Sequence, residues 1–327
     1  MPNPSRPPDD GREPVVVIDR MAGGGDGIAR YEGRAVFVSG SLPGDRVRVR
    51  LLPARGGRLE GRVVELLEPS PARVAPPCPY AGRCGGCAWL ALDLAAQRRG
   101  RADVVRDALV RIGRLEAPAE IPVVAVDPSG VPPGLGYRAR IEAALGPAGE
   151  RGRRAVGFRA AASHEVVDVE RCAVASPPVA AAFERLRAAA AAGRVPPPIV
   201  EVEIAVGDDP AHVVATARLG AAVASREAAR LADRLVAAWP GLAGLRLEPP
   251  AGAAASAVER GRTALTVTVP GPGGRPLPLE VPAGVFMQAN PAVNARLVEA
   301  VARAVAPREG VRLLDLYCGA GNFALPL

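Results

Sequence analysis

Three cysteines, Cys78, Cys84 and Cys87, fall within ten residues, and no other local feature limits the fold so sharply. Gly85 and Gly86 separate the second thiol from the third. Lacking Cβ atoms, they let the backbone wrap closely around a bulky centre. A fourth cysteine, Cys172, lies far along the chain, and Cys318 brings the total to five. An odd number, with three so tightly packed, argues for a metal or cluster site rather than for disulfides. Buried thiols without a special role usually stand singly. Four thiolates can close a four-coordinate site, and soft sulfur selects zinc or an iron–sulfur cluster. The gap between Cys78 and Cys84 is wider than the two-to-four spacing of most zinc ribbons.

Around this cluster the hydrophobic pattern changes three times. From Val15 to about Glu68 it is short and strand-like: Val15–Ile18, Ala35–Val38, then Val47, Val49 and Leu51 alternating with Arg46, Arg48 and Arg50, then Arg62–Leu67. Turns at Gly23–Gly27, Pro43-Gly44-Asp45 and Gly56-Gly57 separate these runs, which predicts a small closed β-barrel. The three arginines are either an RNA-binding face of an OB-like barrel or the solvated side of a half-buried strand. The Pro-rich, polar residues 1–13 are expected to be a disordered tail. From Asp93 to about Gly113, Leu94, Val105, Leu109 and Ile112 recur at helical spacing.

Between Val123 and Val281, alternating runs at Val200–Ala205 and Leu265–Val269 mix with Ala-rich helical stretches at 180–192 and 225–238. This predicts an antiparallel sheet with helices, an α+β arrangement. A helix from Pro291 to about Val305 leads to Val311–Leu316, which reads as a buried parallel strand, followed by a glycine loop. Such a loop lets a ligand approach the backbone, although a plain strand–helix turn has the same form.

A chain of 327 residues suffices for two or three domains. Its net charge is +7, and every one of its 41 basic residues is arginine. The charge favours a phosphate-bearing partner, and a coding bias toward Arg, Pro, Gly and Ala accounts for it equally well. No apolar run is long enough to span a membrane, and Met1–Arg12 carries no apolar core of a secretory signal. A cytoplasmic location is therefore expected. Arg138, Arg140, Arg151, Arg153 and Arg154 read as phosphate contacts or as solvated surface. Tyr137 and Phe158 read as base-stacking groups or core, and His164 as an RNA contact or a structural residue.

The pattern Cys78-x5-Cys84-Gly85-Gly86-Cys87 with a remote Cys172 resembles that of the RNA (uracil-5-)-methyltransferases of the RumA (RlmD) type, which modify 23S ribosomal RNA. Gly24–Arg30 and Leu42–Asp45 look like the family's N-terminal TRAM barrel. Gly136-Tyr137-Arg138, Gly157-Phe158-Arg159 and Ser163–Asp168 look like its central domain, and Gln97–Gly113 like the helix that packs on its catalytic domain. Phe286-Met287-Gln288-Ala289-Asn290 resembles the family's Phe-x-Gln-x-Asn motif. Ala139 and Ala173 depart from it, standing where Asn and Pro are common.

The resemblance implies a multidomain α/β and β protein. A TRAM barrel would span 14–72, and an α+β central domain 73–92 and 123–280. Residues 93–122 and 281–327 would begin a Rossmann-like S-adenosylmethionine (SAM)-dependent methyltransferase domain. It implies a [4Fe-4S] cluster on Cys78, Cys84, Cys87 and Cys172. It implies SAM contacts from Gln288, Tyr317 and Asn322, with Asp315, Gly319 and Gly321 shaping the pocket and Asn290 capping a helix.

Methylating C5 of uracil needs a nucleophile at C6 and a base that removes the C5 proton. The resemblance places both beyond Leu327, so no catalytic residue is assigned, and Cys318 reads as a small packing residue. The expectation is a C-terminally truncated, inactive and monomeric member of a family that methylates C5 of a uridine in 23S rRNA, with the base extruded from its stack. The alternative is a non-catalytic RNA-binding iron–sulfur or zinc protein.

Overall fold

β-Branched residues alternating with arginines build the first part of the chain. A computed structural model describes residues 13–55, 58–126, 130–308 and 310–327. Residues 1–12 of the tail expected at 1–13, and the turn at Gly56-Gly57, lie outside the described residues. The chain divides into two units, Met1–Val123 and Val124–Leu327.

In the first unit, β1 (Val15–Val17), β2 (Arg20–Met21), β3 (Gly27–Tyr31), β4 (Arg34–Ser39), β5 (Arg46–Arg55) and β6 (Arg58–Glu68) form one sheet, ordered β1-β5-β6-β4-β3-β2. β1 and β2 are halves of one bent segment. The first half pairs with β5 and the second with β3, so a single stretch of chain lies on both edges and closes the barrel. The Ile18 N–H donates to the Asp45 carbonyl at 2.9 Å and the Asp19 N–H to that of Ile28 at 2.8 Å, carrying the bend. Val16, Ile18, Ala29, Val36, Val38, Val47, Val49 and Leu59 fill the interior, each large side chain contributing roughly 1.5–3 kcal/mol. Arg46, Arg48 and Arg50 point outward and pair with Glu68, Glu65 and Glu13 at 2.7, 3.2 and 2.6 Å. Their charge is met within the barrel, which favours the reading as the solvated side of a strand.

Helix α1 (Leu94–Asp107) starts at Asp93, whose side chain accepts the Ala96 N–H at 2.6 Å, and runs on into a π-helical turn at Ala108–Ile112. A second small core joins it to the barrel: Met21, Leu42, Trp89 and Leu92, with Ala96 and Val104 packed against them. Gly100 lies against Trp89, where a Cβ would come within 2.9 Å of the ring, and Arg20 pairs with Asp107 at 2.7 Å. The helix that resemblance grouped with the last segment thus packs here on the barrel. Its side chains Val105, Val110 and Ile112 are exposed.

The second unit is built on seven strands: β7 (Arg140–Leu145), β8 (Val156–Arg159), β9 (Val166–Asp168), β10 (Ile199–Val206), β11 (Val213–Leu219), β12 (Gly244–Glu248) and β13 (Val258–Gly261). Their order is β13-β12-β11-β10-β7-β8-β9, antiparallel except for the β11–β12 pair. Helix α2 (Pro177–Ala191) opens on proline and buries Val179, Phe183 and Leu186; helix α3 (Ser225–Ala238) buries Leu231 and Leu235. Phe158 stacks on Phe183 at 5.6 Å, which makes it a core residue. Arg154 is buried, not a surface phosphate contact. Its guanidinium donates to the carbonyls of Gly146, Pro197 and Ile199 at 2.7, 3.1 and 2.5 Å, and so holds the Pro196–Pro198 turn. His164 is exposed, ahead of β9.

A hairpin of β14 (Ala264–Pro270) and β15 (Pro276–Pro282) precedes helix α4 (Pro291–Val305). The expected strand at 311–316 is a correction. These residues form no strand and their apolar side chains face outward, Leu314 being 81% exposed. A strand requires hydrogen-bonded neighbours, and among the described residues no strand lies beside this segment. No helix among the described residues is long and apolar enough to cross a membrane.

Candidate functional site

A cavity of about 170 Å3 lies between the β14–β15 hairpin, the start of α4 and the glycine turn after residue 316. The hairpin contributes an apolar floor, Val267, Leu279 and Val281. Phe286, Gln288, Asp315, Tyr317, Cys318, Gly319 and Asn322 are among the residues that line the remainder. Five of the six expected pocket residues therefore meet at one cavity. The sixth, Gly321, stands behind it with φ +81°, where a Cβ would fall 2.7 Å from Leu325. That backbone conformation and that contact both call for glycine.

The turn is held from α4. Asn290 caps the helix, its side chain accepting the Val293 N–H at 3.1 Å. One turn on, Asn294 and Asn322 exchange two amide hydrogen bonds of 2.7 and 3.0 Å. Asn294 is buried and escaped the sequence reading; its signal is the i, i+4 spacing with Val298 on the inner face of the helix. The pairing leaves Asn322 with one N–H and one oxygen lone pair. Asp315 has a buried carboxylate oxygen that no described group donates to, and such an oxygen calls for a donor. Tyr317 adopts φ +61° and is fully exposed. Cys318 is exposed at the cavity rather than packed in a core, a correction to its reading as a packing residue. Phe286 is exposed as well, with the Arg140 guanidinium 5.7 Å from its ring centre, and Arg140 in turn pairs with Glu203.

The cysteine loop belongs to the first unit. Its stem is a short antiparallel pairing: Arg73 lies opposite Leu92, and the N–H groups of Val74 and Asp93 donate to the carbonyls of Ala91 and Ala72, both at 2.9 Å. Cys78, Cys84 and Cys87 are half-buried. Burial pushes the Cys84 thiol above its ordinary range; the Gly86 N–H donating to sulfur works against this, and Cys78 adds to the rise. Cys172 belongs to the second unit, half-buried in the turn after β9. Among the described residues no group of three or more His, Cys, Asp or Glu is arranged to hold a metal ion. The three loop thiols, all within the first unit, form no such group. Thiols attract one another weakly, and coordination bonds themselves drive such grouping. The donor chemistry fits a soft metal centre, all four groups being thiols.

The buried Asp45 also went unread as a functional position. Its carboxylate accepts the N–H groups of Leu42 and Ser70 at 2.6 and 2.9 Å and both prongs of Arg73 at 2.8 and 2.6 Å.

Known proteins share this organisation. The TRAM domain family matches residues 11–64, most of the barrel, and the tRNA (Uracil-5-)-methyltransferase family matches residues 269–327, which take in β15, α4 and the glycine turn. The chain is 34% identical over 326 residues to the 23S rRNA (uracil(1939)-C(5))-methyltransferase RlmD of Halomonas elongata, covering 95% of this chain and 63% of that one. It is 33% identical to the RlmD of Azoarcus sp., covering 96% and 70%, and 32% identical to an uncharacterized RNA methyltransferase of Thermosynechococcus vestitus, covering 95% and 69%. The chain thus spans about two thirds of the length of these relatives. The fold matches, at TM-score 0.62 and 22% identity, the crystal structure of the Pyrococcus abyssi tRNA (uracil-54, C5)-methyltransferase in complex with S-adenosyl-L-homocysteine, covering 94% of this chain and 69% of that one.

Barrel, mixed sheet and glycine-turn cavity together define an RNA methyltransferase with an N-terminal TRAM domain. The chain belongs to the RNA (uracil-5-)-methyltransferase family.

Proposed function

We propose that this protein takes part, as a monomer, in SAM-dependent methylation of C5 of a uridine in 23S ribosomal RNA. The observation that carries the reading is the single cavity at which Gln288, Asp315, Tyr317, Gly319 and Asn322 meet, from segments on either side of α4. SAM supplies an electrophilic methyl group and brings an ammonium and ribose hydroxyls, donors of the kind the buried Asp315 oxygen lacks. Gln288 and the free half of the Asn322 amide offer further polar groups, and the apolar floor shields the site from water. The glycines let the backbone come close to the ligand. The nucleophile and the base are not assigned to residues of this chain.

The TRAM barrel supports an RNA substrate, and the names of the relatives support 23S rRNA within that class. Cys78, Cys84, Cys87 and Cys172 are proposed as ligands of a [4Fe-4S] cluster. That proposal rests on their spacing, their thiol chemistry and the family resemblance. Methyl transfer from SAM needs no electrons, so a structural role for the cluster follows.

The test is a tritium-release assay on 23S rRNA carrying 5-tritiated uridine, with SAM and this chain. Release that depends on SAM and falls on Gln288→Ala or Asn322→Ala supports methylation at C5. SAM and RNA binding without release favours the non-catalytic reading. Iron and sulfide analysis after anaerobic purification tests the cluster: both should be present and be lost in Cys84→Ser, whereas zinc in their place would overturn it.

A further inference from the structure

The Asp45 carboxylate is completely buried, yet every group that meets it belongs to the junction between the barrel and the cysteine loop. Leu42 precedes β5 in the barrel turn, Ser70 follows β6, and Arg73 is the first residue of the loop's stem, opposite Leu92. Two N–H groups and a two-pronged guanidinium fill the oxygens at 2.6–2.9 Å. Such charge-assisted, bidentate contacts fix orientation as well as distance. The turn is shaped to admit them: Gly44 has φ +87°, and a Cβ there would lie 2.9 Å from the Ser70 hydroxyl. Beyond the stem, the three thiols sit on a loop whose described contacts are mostly short backbone turns, such as Cys84 N–H to the Tyr80 carbonyl at 2.9 Å. Trp89, two residues after Cys87, anchors the end of the loop in the small core with Met21 and Leu42, and ahead of it the orientation of the loop is set at its base.

We propose that Asp45 is a positioning residue for the cysteine loop: through Arg73 and Ser70 it clamps the stem to the barrel, and thereby governs how firmly the loop retains its metal centre. The inference rests on the cluster reading above. It adds that a residue of the barrel turn, touching no ligand, controls retention.

The experiment uses the full chain, purified anaerobically, as parent, Arg73→Met, Arg73→Lys and Asp45→Asn. Two quantities are read: amide hydrogen exchange at Val74 and Asp93, with the amides of β4 as barrel control, and the rate at which visible absorbance decays under EDTA in air. Arg73→Met removes the guanidinium but leaves Asp45 its two N–H donors, so the barrel stays folded even if Asp45→Asn does not. The clamp predicts that Arg73→Met speeds exchange at Val74 and Asp93 by about tenfold and absorbance decay by a similar factor, with β4 unchanged. Arg73→Lys, which keeps the charge but not the fork, should fall between parent and Arg73→Met. Unchanged stem exchange in Arg73→Met overturns the clamp, and faster exchange with an unchanged decay rate overturns its role in retention. A parent without iron and sulfide overturns the cluster reading instead, and the exchange measurement still decides the clamp.

Discussion

The barrel and the segment 311–316 carry similar apolar patterns and meet opposite fates. Val47 and Val49 are completely buried, paired through β5 with strands on both sides. Val311, Leu313, Leu314 and Leu316 are just as apolar, yet they lie exposed and unpaired among the described residues. The difference lies in neighbours rather than in propensity. A β-strand is stable through cross-strand partners and a face to bury, and the barrel finds both within about fifty residues of chain. The segment before the glycine turn has neither beside it, although the turn itself is held in place by the Asn294–Asn322 pair.

Placing a charge at equivalent apolar positions should break the symmetry most strongly. Val47→Asp is expected to unfold the barrel, because an unpaired carboxylate in its core costs more than about 4 kcal/mol. Leu314→Asp should change stability by less than about 0.5 kcal/mol. Chemical denaturation followed by circular dichroism distinguishes them, and equal losses would refute the exposed placement of Leu314. A milder probe of the same core is Leu59→Ala, for which a loss of about 3 kcal/mol is expected.

The glycine-turn side is sharpened by Asn294→Ala. It removes both amide bonds to Asn322, at a cost of about 1–2 kcal/mol to the turn, and should weaken cofactor binding about fivefold to tenfold. Unaltered affinity would show that the pair does not shape the cavity.

The smallest effect concerns pH. Burial pushes the Glu201 carboxyl above the usual glutamate range, its hydrogen bond with Glu142 and the charge of Glu142 add to the rise, and Arg159 and Arg218 oppose it. A carboxyl raised on folding stabilises the protein below its unfolded value, near 4.5, and that stability is lost as pH climbs through the folded value. Stability of the parent relative to Glu201→Gln should therefore decline as pH rises above about 4.5. A rise would mean that the arginines dominate.

Much of this was legible in the sequence. The alternation around Val47 and Val49 announced the barrel strands, the Ala-rich run announced α2, Pro291 announced the start of α4, and the Phe286–Asn290 motif with the glycine turn marked the cavity. Other features depend on distant partners. Barrel closure requires the bend at Ile18 and Asp19 to pair with both edges, which no local pattern encodes. Arg154 looked like any surface arginine, because only the fold surrounds it with carbonyls. Asp45 was visible as a turn residue, while its grip on Arg73 depends on where the chain returns after β6.

The central claim is that the cavity beside α4 is a cofactor site, and calorimetric titration of the full chain with S-adenosyl-L-homocysteine tests it most directly. The account predicts saturable binding of one ligand per chain, weakened about tenfold or more in Asp315→Asn and Asn322→Ala. Absence of binding, or affinity indifferent to both substitutions, would contradict it.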